Sequence, residues 1–338
     1  MKICKKIAVI GGGISGLTAA YFLKEKFSVE IFEKAKSVGG RMSVKYHDNY
    51  QFDIGAQHFS AKNKIFKDFL KKPLDLGIVK YWSANFCEID KNNIISKRFW
   101  NEEFMHLVGS DKMNSLCKYI ANDLNIRLQT CITKISKENN KWTIIDSNNN
   151  KYENFDYLII AIPSQQLINL EGQLFVDEDL SQYKMLGCYV IMLGLKRKID
   201  LNFDAALIKN SLISWISIDS TKPGRPRGFS IVANSSNLWA EENIEASIDF
   251  IREKLLHELK MIINFDEKDI DYINTHKWRY ANTKYKKKPV RGGKDEISNI
   301  YSEKNSLGIC GDWFIKGRVE SAFLSGYDLS QKIINISK

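Results

Sequence analysis

Gly11-Gly12-Gly13-Ile14-Ser15-Gly16 fits the pattern G-x-G-x-x-G. It follows a short apolar strand, Lys5–Ile10, and opens a helix expected over Ile14–Glu25. A second strand, Ser28–Phe32, ends in Glu33, about 20 residues on. Strand, glycine turn, helix, strand and terminal acid together form a dinucleotide-binding fingerprint. Gly11 permits the tight turn, Gly13 lets backbone approach a pyrophosphate, and Gly16 lets helix and strand pack closely. The helix N-terminus, at Ile14 and Ser15, offers N–H groups to an anion. Glu33, with Lys34 beside it, can accept hydrogen bonds from ribose hydroxyls. Its charge opposes a 2′-phosphate, so NADP is not expected at this site.

Two further segments point the same way. Val38-Gly39-Gly40-Arg41 combines close backbone approach with a guanidinium that can fork onto phosphate. Placed just after the acid, it favours FAD over NAD. Near the other end, Cys310-Gly311-Asp312 closes an apolar strand and Gly317-Arg318-Val319-Glu320 opens a last helix. A Gly-Asp strand end suits a ribityl or pyrophosphate chain. The helix N-terminus suits an anion such as the pyrimidine edge of a reduced flavin. An ordinary capped helix fits that last segment as well.

These residues need a discontinuous frame. With 338 residues, 44% apolar and 27% charged, the chain has room for two globular domains. Strands are expected at Arg127–Ser136, Trp142–Asp146, Tyr157–Ile162, Cys188–Leu195, Ser214–Ile218, Phe229–Ala233 and Leu307–Cys310. Helices are expected at Lys64–Lys72, ending before Pro73, and at Lys112–Leu124, Glu241–Leu259 and Val319–Ile334. The fold class is α/β, with a nucleotide-binding domain and a substrate domain. The FAD domain takes 1–70, 106–165 and 298–338; the substrate domain takes 71–105 and 166–297. Ile132, on the strand beyond Glu33, joins the cofactor-binding set.

Composition narrows the partners. Six cysteines without C-x-x-C spacing fit a reducing, cytoplasmic compartment. The five histidines show no metal-binding spacing, so no metal is expected. No apolar run is long enough to span a membrane. The basic, apolar N-terminus superficially resembles a signal peptide, but its glycines belong to the fingerprint. The net charge of +10 suits an anionic small molecule and equally suits plain solvated lysines. A nucleic-acid partner is not expected, and the protein should be a monomer or homodimer.

With those motifs in place, the chain resembles the FAD proteins of the amine oxidase superfamily. Three segments resemble its renalase-like branch: Phe52-Asp53-Ile54-Gly55-Ala56-Gln57-His58-Phe59, His276-Lys277-Trp278-Arg279-Tyr280-Ala281, and Gly311-Asp312-Trp313-Phe314 with Gly317–Glu320. Over about 166–270 only the order of elements matches. The resemblance implies a FAD-binding Rossmann domain of the glutathione-reductase type with a mixed-sheet substrate domain and noncovalent FAD. It also implies oxidation of dihydronicotinamide dinucleotides reduced at the 2- or 6-position, and reoxidation by dioxygen to hydrogen peroxide. An amine oxidase acting on a small amine and a flavin-binding redox protein without turnover stay open as alternatives. Relatives often carry Tyr where this chain has His58. The flavin-linking cysteine and membrane tail of mitochondrial monoamine oxidases have no counterpart.

Residues 276–281 carry information of their own. In a strand, His276, Trp278 and Tyr280 face one way, and Lys277 and Arg279 the other. An aromatic wall suits a flat heteroaromatic ring, and it favours the pyridinium left after hydride loss by about 0.5–2 kcal/mol. These three are the candidate catalytic residues, although the same types also build ordinary cores. Gly55, Ala56 and Gln57 are candidates for contact with a flavin ring, or else a packed corner. Lys277, Arg279 and the basic run 284–294 could grip a substrate diphosphate; such a run is also a common solvated loop or nucleic-acid patch.

Overall fold

The computed structural model describes residues 4–284 and 297–337. Its first sheet has six strands. Lys6–Ile10 lies between Ser28–Phe32 and Tyr157–Ile160, parallel to both. Asn125–Arg127 and Leu307–Cys310 extend it in parallel, and Asn299–Ser302 closes one edge antiparallel. Such strands are covered on both faces, so they read as continuous apolar runs. On one face lie the helices Ile14–Leu23 and Val319–Ile336. On the other lies a three-stranded meander whose Trp142 and Ile144 pack on Ala8, Phe32 and Leu158. Its first turn uses Asn139 and Asn140, both at positive φ, as a tight hairpin requires.

The second sheet has seven strands, in the order Ile270–Thr283, Met185–Leu195, Phe229–Ser235, Ile213–Ile218, Ala205–Lys209, Ala84–Asp90 and Asn93–Trp100. All neighbours are antiparallel except the pair Ala84–Asp90 and Ala205–Lys209. Both faces of its centre are apolar. Tyr189, Ile191, Leu193, Ile231 and Ala233 pack against Ile251, Leu255 and Leu259 of the helix Ile248–Ile262. The alternate residues Cys188, Val190, Met192 and Val232 pack toward Tyr50, Phe52 and Ile54.

Four expected elements differ. The helix Lys64–Asp75 runs through Pro73, which sits in its last turn and shares the buried face of Phe66 and Leu70. The helix expected over Lys112–Leu124 covers only Ser115–Ala121, because 110–114 form a turn tied by the Ser115 hydroxyl donating to Ser110 O. The helix expected over Glu241–Leu259 is two, Asn237–Glu242 and Ile248–Ile262; Ser247 caps the second, accepting from Phe250 N. The strand expected over Arg127–Ser136 divides between two sheets, breaking after Arg127 and resuming at Ile132, with Gln129 at positive φ. Among the described residues, no helix is long and apolar enough to cross a membrane. No group of three or more His, Cys, Asp or Glu is placed to hold a metal ion among them.

Candidate active site

Parallel sheets bind ligands beyond the carboxyl ends of their strands. Here Gly11, Glu33, Ala161 and Gly311 directly follow four parallel strands, and all four line one cavity of about 1080 Å³. Single-ligand clefts run to about 1,000 Å³, so this one has room for an extended cofactor.

The cradle end is mostly backbone. Gly11 has φ +108°, and a Cβ there would lie 2.6 Å from Ala161 O. Gly13 faces open space, with nothing within 4 Å of a Cβ position, while a Cβ on Gly16 would lie 2.2 Å from Gly11 O. Gly16 thus sits beneath the cavity and Gly13 within it. Ile14, Ser15 and Lys34 line the same end. The helix Ile14–Leu23 has no side-chain cap at its N-terminus, and neither has Val319–Ile336; both open into the cavity. Their first N–H groups need partners, and an anion supplies them.

Glu33 is buried, and its oxygens accept from Gly12 N at 2.7 Å and Ala35 N at 2.8 Å. A carboxylate has about four acceptor positions, so two remain for hydroxyl donors. Gly40 and Arg41 approach from the next loop, and Ile132 from the meander. Arg41 does not wait open for phosphate. It forks onto Asp312, with Nη1–Oδ2 at 2.8 Å, and donates to Ala281 O at 3.1 Å. One guanidinium therefore joins segments from the start, the second sheet and the end of the chain. Arg318 and Val319 line the cavity, with Arg318 exposed. Glu320 lines it as well, but its Oε1 accepts from Lys62 N at 2.6 Å and Asn63 N at 2.7 Å, so part of its carboxylate holds the neighbouring loop.

The other end is made of side chains. His276, Trp278 and Tyr280 all line the cavity, with His276 and Trp278 edge to face at 4.6 Å. The Trp278 indole donates to Ile54 O at 2.7 Å and so locks the wall to the segment carrying Gly55 and Ala56, which also line the cavity. Burial holds His276 well below its ordinary value, at about 4, with Lys45 adding to the effect. The ring is neutral near pH 7. Lys277 donates to Ile244 O, and Arg279 makes a two-pronged pair with Glu245 at 2.6 and 3.1 Å. Both cations point to the loop between the two helices, which removes them from the expected grip on a diphosphate. Beyond Lys284 the basic run lies outside the described residues.

Gln57 differs from expectation. Its amide nitrogen donates to Asp53 O and Gly55 O, and its oxygen accepts from Ser217 Oγ at 2.6 Å and Lys222 Nζ at 3.1 Å. It does not reach the cavity. It belongs to a buried network in which Lys222 pairs with Asp53 at 3.0 Å and Asp219 at 2.5 Å, and Arg225 with Asp53 at 2.7 Å. Burial pushes the Asp53 carboxyl up, but Lys222 and Arg225 outweigh it and hold the group below its usual range.

Sequence reasoning missed Cys188 and Asn234, which line the wall end from the two strands beside Ile270–Thr283. No local motif marks them; only the register of three strands does. It also left His58 without surroundings. That ring lines the cavity and packs on Trp100, Trp215 and His106 at 5.0–5.5 Å. Burial, with His106, Lys222 and Arg318 nearby, lowers it to about 3.

Residues 9–73 match an NAD(P)-binding Rossmann-like domain, and residues 80–334 match the flavin containing amine oxidoreductase model. The chain belongs to the flavin-containing amine oxidoreductase family. It is therefore a flavin-dependent oxidoreductase. Renalase from Mus musculus is 23% identical over 300 residues, covering 82% of this chain and 84% of that protein. Coproporphyrinogen III oxidase from Staphylococcus aureus is 34% identical over 77 residues, 22% of this chain and 16% of that one. A structure described as a candidate protoporphyrinogen oxidase from Exiguobacterium sp. 255-15 superposes with a TM-score of 0.77 at 12% identity, covering 99% of each chain. A redesigned putrescine oxidase gives 0.68 at 11% identity, over 98% of this chain and 99% of that one. The two structures establish the shared fold.

Proposed function

We propose that this protein is an oxidase with noncovalent FAD that takes a hydride from 2- or 6-dihydro-NAD(P), the misreduced isomers of dihydronicotinamide dinucleotides. The observation that carries this reading is the wall of His276, Trp278 and Tyr280 closing the cavity whose far end is the dinucleotide cradle. FAD, when bound, supplies the hydride acceptor and passes the two electrons to dioxygen, giving hydrogen peroxide. The chain's part is to bind and orient. The wall offers an aromatic surface, and aromatic rings favour the pyridinium product. Neutral His276 adds no opposing charge. The cavity carboxylates are engaged, Glu33 and Glu320 by backbone N–H groups and Asp312 by Arg41. A hydride donor asks for no general base, so their engagement costs nothing. The FAD domain is taken as 1–70, 106–165 and 298–338, and the substrate domain as 71–105 and 166–297.

Burial pushes the Cys310 thiol to about 12 and raises that of Cys188, which keeps both protonated and poor at linking to a flavin. Six free cysteines suit a reducing cytoplasm and a monomer or homodimer without disulfides.

Purified protein mixed with each donor in the absence of oxygen tests the reading. Fast flavin bleaching is expected with 2- or 6-dihydro-NAD(P), slow bleaching with ordinary 4-dihydro-NADH, and none with benzylamine. Air should then return one peroxide per product. Bleaching by simple amines as fast as by the isomers assigns the protein to amine oxidation instead. Acid precipitation should leave intact FAD in the supernatant.

A further inference from the structure

The wall holds two buried polar atoms without a partner among the described residues, Asn234 Oδ1 and His276 Nε2. They belong to one row of the seven-stranded sheet. Val190 is register partner to Asn234 on one side and to His276 on the other. Directly opposed residues of antiparallel strands share a face, so all three side chains point the same way. Two residues along, Cys188 and Trp278 are opposed in the same manner. Cys188, Asn234, His276 and Trp278 all line the cavity. Strands lie about 4.8 Å apart, which sets the Asn234 and His276 backbones roughly 10 Å apart, with the buried Val190 between them.

Buried polar atoms in folded proteins are normally paired. Both atoms are closed off from water, so a ligand lying against Asn234 and His276 meets them through a turn of the amide and the ring. Their chemistry says which kind. Asn234 Oδ1 accepts. The Asn234 amide nitrogen already faces Cys188 Sγ at 3.9 Å, which leaves the oxygen as the open end. A neutral imidazole carries one N–H and can donate.

We propose that Asn234 and His276 form a recognition pair for a primary carboxamide on the substrate ring, with Asn234 Oδ1 accepting from its NH2 and the His276 ring N–H donating to its carbonyl. This inference rests on the dihydronicotinamide reading and assigns the feature of the ring that is read. A protonated amine offers N–H donors and no acceptor, so it leaves the His276 proton unmet. The pair thus discriminates by an unsatisfied group, the strongest form of discrimination open to a small site.

The test uses the flavin-loaded protein and two donors that differ only at the ring 3-position, carboxamide against acetyl, both as the 6-dihydro dinucleotide. Acetyl keeps the carbonyl and lacks the N–H. Wild type should bind the carboxamide donor about 10- to 100-fold more tightly, read from the concentration dependence of anaerobic bleaching. Asn234→Leu should erase that preference by weakening the carboxamide donor alone. His276→Leu should weaken both donors equally, and His276→Gln, which retains an N–H, should restore much of the loss. If Asn234→Leu fails to hold flavin, Asn234→Ala serves in its place. A carboxamide preference unchanged in the Asn234 variant overturns the pair and leaves the hydride reading standing. Failure of wild type to be bleached by either donor overturns both.

Discussion

The two ends of the cavity are made of different material. The cradle end is backbone: loops leaving four parallel strands, two helix N-termini, and glycines where a Cβ would collide. The wall end is side chains: Cys188, Asn234, His276 and Trp278, projecting from three antiparallel strands. Backbone N–H groups recognise phosphate in any sequence that can adopt the turn, so the cradle suits a cofactor shared by many chemistries. Side chains can change singly without disturbing the sheet, so the wall is where one member of a fold departs from another. The two ends meet through Trp278, bonded to Ile54 O, and through the buried Asp53 network behind Gly55 and Gln57.

The largest effect should come from breaking that junction. Asp53→Ala leaves Lys222 and Arg225 buried without a carboxylate that both use, at a cost of about 3–5 kcal/mol. The denaturation midpoint should fall accordingly. A drop below about 1 kcal/mol would mean that the ends are joined elsewhere. The next concerns the cradle alone. Glu33→Arg replaces an acceptor by a cation and should weaken FAD binding by about 1–3 kcal/mol. Flavin content after dilution measures it, and full retention would remove Glu33 from the ribose.

A smaller change sharpens the wall. Trp278→Phe keeps an aromatic face and loses the indole bond to Ile54 O, worth about 0.5–1.5 kcal/mol. Reduction should slow several-fold while flavin stays bound; loss of flavin instead would show that the ends do not act separately.

The smallest effect is acid sensitivity. His58, His106 and His276 are lowered by burial to about 3, 4 and 4; His58 and His276 line the cavity, and His106 packs on His58. Between those values and the unfolded value near 6.5, the unfolded chain binds more protons. Stability therefore rises with pH across that window and is lost as pH falls through it. At pH 6 each histidine contributes a loss of under about 1 kcal/mol. Substituting Gln for His58 should flatten the pH profile of the unfolding midpoint, and an unchanged profile would place the titration elsewhere.

Much of the cradle is legible in the sequence because its residues are close along the chain and obey backbone rules. Gly11–Gly16 and Glu33 sit within one β-α-β unit, and each glycine position is marked by a steric need. Arg41 is recognisable as part of the site, but its pairing with Asp312 is not, since that bond spans nearly the whole chain. Gln57 reads as a cavity residue because its neighbours Gly55 and Ala56 are. Whether its amide turns to the flavin side or to Lys222 depends on a buried cation that no local pattern announces. The helix over 241–259 and the strand over 127–136 read as continuous because apolar periodicity carries across both breaks. Ser247 in one case and a change of sheet in the other end them.

The sequence by itself determined the nucleotide fold, the cradle and the shared face of His276 and Trp278. Each follows from short-range geometry: a turn that excludes Cβ, a helix that opens at its N-terminus, a strand that alternates. Only the tertiary structure decided what stands beside that face. Placing Asn234 and Cys188 in the row with His276 and Trp278 required the register of three strands far apart in the chain. Turning Lys277 and Arg279 away required the loop carrying Ile244 and Glu245. Register and loop docking are set by core packing over the whole sheet, through Tyr189, Ile191 and Ile231 against the helix Ile248–Ile262. No local run of residues contains that information.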